Sequence, residues 1–408
     1  MAQGELIRRK AAAQGWRGLP AALRVGILYL AARIVTTGFF ALASELAMPG
    51  SRFGAKPGIG TLLMGWDAQW YWFIAVHGYP AELPLDASGS VAQNAWAFMP
   101  VYPYLARAIG GTGPGWPVAA ILISLVAGYL ACLVLYRLMR ERLDRPASTW
   151  TVVFFASGPL AAVFQIGYGE ALFLLWLLLA LWSVTRRRYG WLWILLPLMG
   201  FTRPGVLAFA LFLGLHGIAR WRRRRREALP VRHIVQIVAT SAWGCAIGFS
   251  WPVIAGIVTG RSDAYLATEL SWRRDWVAGE AGFVPLRGFW DAAGFWFRTW
   301  GLGETAGHVV LVALILACAA VLALDPRVRR LGADVRLWAG SYLLYLLAVF
   351  FPQSSVFRLL VPLSPLWGAV AVPRSRVWRA GVLALCLLGQ WWWIYNMYAL
   401  GNSFWQIP

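Results

Sequence analysis

The chain has 408 residues, of which 60% are hydrophobic and 13% charged, and its 37 Lys and Arg against 17 Asp and Glu give a formal net charge of +20. Soluble domains carry roughly 25% charged residues, so a soluble globular chain is excluded. The alternating ten-residue strands of a membrane β-barrel are missing from the sequence too. The positive charge does not point to nucleic acid: most arginines sit in short clusters between apolar runs, where the positive-inside rule puts them, with some attraction to anionic membrane lipids.

In chain order, residues 1–20 are polar and basic, with Arg8-Arg9-Lys10, and are expected in the cytoplasm. The first apolar run, 25–47, exceeds the 7–15 residues of a signal-peptide core and is predicted to be an uncleaved first helix. A long outer loop follows over 48–116, with two aromatic amphipathic candidates at 66–77 and 97–109. Long loops of this kind usually carry function, and such helices suit the headgroup layer. Further spans are predicted at 117–137, 149–165 and 169–185, and then a pair at 190–201 and 204–219. After 234–259 comes a second outer loop, 260–303, carrying Trp272-Arg273-Arg274-Asp275-Trp276. The last spans are 304–324, 337–351, 357–373 and 378–398.

If all six basic clusters face the cytoplasm, an even number of crossings must separate each from the next, and the parity of these spans holds throughout. The clusters are Arg8–Lys10, Arg137–Arg145, Arg186–Arg188, Arg220–Arg226, Arg327–Arg336 and Arg374–Arg379. The expected fold is an all-α polytopic membrane protein, one integral membrane domain over 1–408 with about 9–11 spans, in the plasma membrane. Between Arg188 and Arg220 too few residues remain for two crossings, which need about 40. The segment 186–226 is therefore read as a half-helix or strongly tilted pair meeting at Thr202-Arg203-Pro204. Broken backbone at membrane depth is tolerated only where protein buries it or a polar cavity receives it. Cys132, Cys245, Cys318 and Cys386 lie far apart in apolar runs and read as small buried hydrophobes. They suggest neither a metal nor a disulfide framework.

On this topology four rare charges fall at the outer face: Asp67 in Gly65-Trp66-Asp67-Ala68-Gln69-Trp70, Glu170, Arg203 and Arg358. Charges at helix ends in an apolar bundle are costly unless paired or wet, so each is a functional candidate. Plainer roles stand beside that one. Asp67 suits a helix N-cap, Glu170 a simple salt bridge, Arg203 and Arg358 snorkelling anchors, Arg33 a structural pairing within the first span, and His77 an interfacial ring. The chemistry that needs such a set is transfer from a lipid phosphate. One carboxylate would take a proton from an acceptor hydroxyl and one or more arginines would hold the departing phosphate, with Arg203, Arg358 and Glu170 the candidates for the donor-binding side. Trp66, Trp70, His77, Tyr79, Tyr102 and Tyr168 are candidate substrate-lining residues. No phosphate-binding glycine motif for a soluble nucleotide occurs, and no cofactor or metal is expected.

The motifs resemble those of a known family. Trp66-Asp67 with Ile74-Ala75 and Gly78-Tyr79, then Phe98-Met99-Pro100-Val101-Tyr102-Pro103, is similar to the bacterial relatives of the second mannosyltransferase of glycosylphosphatidylinositol anchor synthesis. Gly169-Glu170-Ala171-Leu172-Phe173, Thr202-Arg203-Pro204 and Phe357-Arg358-Leu359-Leu360-Val361-Pro362-Leu363 resemble the later motifs of that family, and the match runs in order along nearly the whole chain. Gly169 stands where the family usually has Thr, and Met99 where it has an aromatic residue. The resemblance implies a GT-C glycosyltransferase fold and an inverting transfer with Asp67 as base. The donor would be polyprenyl-phosphate-mannose, and the acceptor a glycolipid, lipid-linked glycan or protein hydroxyl at the extracytoplasmic face. It leaves open the acceptor, the sugar and the oligomeric state. The rival reading is a transporter or flippase binding a phospholipid or polyprenyl-phosphate glycan without sugar transfer, although repeated halves are not evident; a third is a catalytically silent partner subunit.

Overall fold

The computed structural model describes residues 15, 18–274, 282–401 and 408. The cluster Arg8-Arg9-Lys10 and the Asp275-Trp276 end of the second loop motif lie outside the described residues. The regular elements are helical, and Leu85 and Val91 meet as an isolated antiparallel bridge. The longer helices are α1 (Ala21–Leu46), α2 (Asp67–His77), α3 (Val101–Gly110), α4 (Gly115–Arg140), α5 (Arg145–Ala156), α6 (Glu170–Thr185) and α7 (Leu192–Gly200). They continue with α8 (Val206–Arg222), α9 (Val231–Thr259), α10 (Ala264–Arg274), α11 (Arg287–Thr299), α12 (Glu304–Leu324), α13 (Ala333–Val349) and α14 (Arg376–Ile394).

Among the described residues, α1, α4, α9, α12 and α14 with its π-helical extension to Leu400 are long and apolar enough to cross a membrane unaided. With 16, 17 and 17 residues, α6, α8 and α13 reach about 24–26 Å, a little under the hydrocarbon thickness of about 30 Å. The chain is a multi-pass helical membrane protein.

Two expected spans are corrected. The run 149–165 is not one helix: α5 has 12 residues and ends at Ala156, before Ser157-Gly158-Pro159. Arg33 explains how the break is tolerated. Buried in α1, it donates from Nη1 to Ala161 O at 2.6 Å and from Nη2 to Ala156 O at 2.5 Å, with its guanidinium 5.2 Å from the Tyr29 ring and 5.4 Å from Phe164. It satisfies carbonyls that a helix end leaves orphaned, so its role is structural. The run 357–373 is also broken, into a short helix Val356–Leu359, a 3-10 segment Val361–Leu366 and a short helix Trp367–Ala371. Pro362 and Pro365 supply no N–H for a helical ladder there.

The expected half-helix pair is lopsided. α7 has nine residues with Pro197 inside it, and the chain turns through 201–205, with Gly205 at φ +143°, into the nearly full-length α8. α4 packs along α6, and α8 along α9 and α13. The long connection after α1 is tied both to the segment after α9 and to α9 itself. Asn94 Nδ2 donates to Thr268 Oγ1 at 2.9 Å, and Trp251 Nε1 donates to Trp96 O at 2.9 Å. Helices α10 and α11 were not foreseen in the second loop. Of the cysteines, Cys132 and Cys386 are buried as expected, but Cys245 and Cys318 are exposed on helix surfaces, which corrects the reading of all four as buried.

Candidate active site

Asp67 is delivered by a tight turn. A Cβ on Gly65 would lie 2.5 Å from the Phe53 ring, so this position admits only glycine without rearrangement. Trp66 follows at φ +55°, ψ −123°, a conformation side-chain-bearing residues rarely adopt, and strain of this kind gathers at functional sites. It is held there from outside. Trp66 Nε1 donates to Met397 O at 2.9 Å, Phe53 meets the ring edge-on at 6.0 Å, and the Arg52 guanidinium lies 4.3 Å from the ring centre. α2 then starts at Asp67, which makes no side-chain capping bond, so the N-cap reading falls. Its backbone N–H donates to Tyr168 Oη at 3.4 Å, while its Oδ2 faces Arg358 Nη1 at 2.5 Å.

Three more helix ends meet that pair. Glu170 is the first residue of α6 and only 4% exposed; its Oε1 lies 3.2 Å from Arg358 Nη1 and 2.5 Å from Arg203 Nη1. Arg203 comes from the turn between α7 and α8. Arg358 comes from the short helix in the broken segment, its guanidinium 5.1 Å from the Tyr168 ring. Tyr342 steadies that segment by donating its hydroxyl to Leu359 O at 2.8 Å. The result is a continuous chain, Asp67–Arg358–Glu170–Arg203, with two positive and two negative charges. Both arginines point inward, with side-chain exposures of 8% for Arg358 and 15% for Arg203, so neither is a snorkelling anchor.

The chain is not saturated. Arg358 Nε and Glu170 Oε2 are buried without a hydrogen-bond partner, and such orphans in a folded protein need an explanation. A crevice of about 20 Å³ beside them is lined by Glu170, Arg203, Arg358, Phe173, Pro204 and Tyr342, which is room for about one water. Among the described residues no group of three or more His, Cys, Asp or Glu gathers as metal ligands.

The aromatic candidates divide. Tyr168 belongs to the charged site. Trp70 lies one turn after Asp67, half-buried and stacked on Phe98 at 5.8 Å with Trp272 edge-on at 6.0 Å. Trp66 holds the Asp67 turn. His77 ends α2, about 15 Å along the helix from Asp67, against Phe73 and Trp72, so the structure does not bring it to the charges. Tyr79 donates its hydroxyl to Phe98 O at 2.9 Å and packs on Trp96 and Trp251. Tyr102 is fully buried, donating to Ala120 O at 2.8 Å. Both commit their hydroxyls to the scaffold.

Residues near the site that sequence reasoning missed include Tyr71, Tyr342 and Glu269. The Tyr71 hydroxyl lies 3.2 Å from where a Cβ on Gly169 would stand, so a larger residue there needs that ring to shift by a few tenths of an ångström. Glu269, on α10, is accessible to solvent, yet desolvation by the protein crowded around it pushes its carboxyl up to about 7, with a hydrogen bond from Tyr265 and the charge of Arg203 opposing. Accessibility and crowding together suit the wall of a cleft. The scarcity of carboxylates that singled out Asp67 could have singled out Glu269.

No protein-family profile matches the chain, and no curated protein matches it significantly. Among solved structures the chain is similar to ArnT from Cupriavidus metallidurans bound to undecaprenyl phosphate, with 14% identity and a TM-score of 0.46, over 88% of this chain and 62% of that one. It is also similar to the Archaeoglobus fulgidus oligosaccharyltransferase complexed with Zn and sulfate, with 16% identity and a TM-score of 0.44, over 91% of this chain and 53% of that one. Both are glycosyltransferases of the GT-C type. The chain spans between about half and two thirds of their length, and likenesses this distant say nothing about which reaction it performs.

Proposed function

We propose that the chain is an inverting GT-C-type glycosyltransferase at the outer face of the plasma membrane. It transfers mannose from polyprenyl-phosphate-mannose to a hydroxyl of a glycolipid, lipid-linked glycan or protein. The observation that carries this reading is Arg358, held between Asp67 and Glu170 at 2.5 and 3.2 Å with a buried Nε donor unused. A guanidinium so placed can exchange a carboxylate for a phosphate, which its forked donors fit. The same exchange releases Asp67. Freed, Asp67 takes the proton from the acceptor hydroxyl, and the resulting oxygen attacks the anomeric carbon from the face opposite the phosphate. The bond from that carbon to the phosphate oxygen breaks, its electron pair leaves with the phosphate, and Arg358 and Arg203 stabilise the added charge. A β-linked donor thus gives an α-linked product. Glu170 keeps both arginines aimed, and Trp70 with Trp272 offers an aromatic face to the sugar.

Because Asp67 and Arg358 are in contact at rest, donor binding has to part them, and a map of the protein with polyprenyl phosphate tests this directly. The expected result is phosphate on Arg358 or Arg203, Asp67 across the sugar site, and a mannosylated lipid product from purified protein supplied with polyprenyl-phosphomannose and membrane lipids. Phosphate held elsewhere, or lipid translocation in vesicles with no glycosylated product, would overturn the proposal.

A further inference from the structure

At the far end of α8 lies a cavity that this reaction does not use. It has a volume of about 440 Å³ between α8 and α9, and its walls include Gly214, Gly217, Ile218, Trp221, Ile237 and Cys245. The absent side chain at Gly214 makes the room: a Cβ there would meet nothing closer than Ser241 Oγ at 3.9 Å. Ser241 commits its hydroxyl to Ala210 O at 3.0 Å, so the wall is hydrocarbon in character. Trp221 stands 15 residues beyond Val206, where α8 leaves the Arg203 turn, or about 22 Å along the axis. The cavity therefore opens towards the opposite side of the bundle from the charged site.

Charge gathers at its rim. The Arg224 guanidinium lies 4.2 Å from the centre of the Trp221 ring that lines the cavity, and its Nη1 donates to Trp221 O at 3.0 Å. Arg222, Arg223, Arg225 and Arg226 are exposed beside it, and Arg232 is exposed at the start of α9. The one acid in this stretch, Glu227, is committed to Arg187 at 3.0 Å. Arg220 is buried and committed to Tyr189 and Ala228 O. An apolar slot with a positive mouth matches a molecule with a hydrocarbon chain and an anionic head.

We propose that this cavity seats an acyl chain of one anionic phospholipid, from the leaflet nearest Arg220–Arg226, with its phosphate at the Arg224 rim. Hydrocarbon walls select a chain, and the arginines select its charge.

The test is native mass spectrometry of the full chain in detergent, titrated with phosphatidylglycerol or phosphatidylcholine. Wild type should hold one phosphatidylglycerol more tightly than phosphatidylcholine, and Arg224→Gln should weaken that preference by roughly fivefold, the effect of one basic residue near an anionic head. Gly214→Leu should fill the slot and remove the adduct. In a Cys318→Ala background, where Cys245 is the exposed thiol among the described cysteines, phosphatidylglycerol should slow its alkylation while inorganic phosphate should not. Equal affinity for the two lipids, or Cys245 protection that Arg224→Gln leaves unchanged, overturns the proposal. Arg224 is exposed, so its variant decides the question even if Gly214→Leu does not fold.

Discussion

Asp67→Asn separates catalysis from stability, because the structure gives Arg358 a second anchor. The variant removes the charge and basicity of Asp67 but keeps an oxygen that can accept from Arg358. Arg358 Nη1 lies 2.5 Å from Asp67 and 3.2 Å from Glu170, and attraction falls inversely with separation, so Glu170 retains a little under half of the pull. The penalty of about 3–5 kcal/mol for stranding a buried charge therefore does not apply. The expected loss is about 1–2 kcal/mol, below the full value of a hydrogen bond to a charged group. At about 2–4 °C per kcal/mol the melting temperature should drop by less than about 8 °C. Turnover should fall by about 10²–10⁴, the contribution of a positioned base, or about 3–5 kcal/mol of activation free energy. Transfer of radiolabelled mannose and a thermal melt in the same detergent measure both. Turnover within about tenfold of wild type would remove Asp67 from the role of base, and a melt lowered by more than about 15 °C would show that Glu170 does not hold Arg358.

Arg33→Leu should cost about 3–6 kcal/mol, since two charge-assisted hydrogen bonds to Ala156 O and Ala161 O vanish together; a melt unchanged from wild type would contradict the capping role. Gly65→Ala pushes a methyl into the Phe53 ring and should cost about 1–3 kcal/mol while displacing Asp67, and Phe53→Leu in the same chain should recover part of the turnover. Glu269 titrates higher in the folded protein, about 7, than its ordinary 4.5. Its contribution to stability is whole below pH 4.5, is lost as pH rises to about 7, and is flat above that. The melting temperature of Glu269→Gln, measured against wild type across that window, should therefore lose less with rising pH; parallel curves would contradict a crowded carboxyl.

Hydropathy and length made the long spans α1, α4, α9, α12 and α14 legible, and the rarity of charge in an apolar chain made Asp67, Glu170, Arg203 and Arg358 legible as candidates. Hydropathy is blind to a ladder that breaks inside an apolar run, so Gly158-Pro159 and the prolines at 362 and 365 passed as parts of spans. Nor can residue type tell where a hydroxyl points. Tyr79 and Tyr102 look like ligand-facing residues in sequence, yet each hydroxyl is committed to a backbone carbonyl fixed by distant packing. The bridging position of Arg358, 291 residues from Asp67, exists only after the chain has closed on itself.

The two arginines and two carboxylates also sum to zero, which gives the resting site a threshold. A neutral sugar offers no charge to replace either partner, so parting Asp67 from Arg358 would leave Asp67 unpaired while Arg358 kept only Glu170, which is costly. An anionic head can part them, by taking over the guanidinium as it arrives. In the proposed mechanism the protein therefore checks the lipid phosphate before the sugar, and Asp67 becomes available as a base only once a donor is in place.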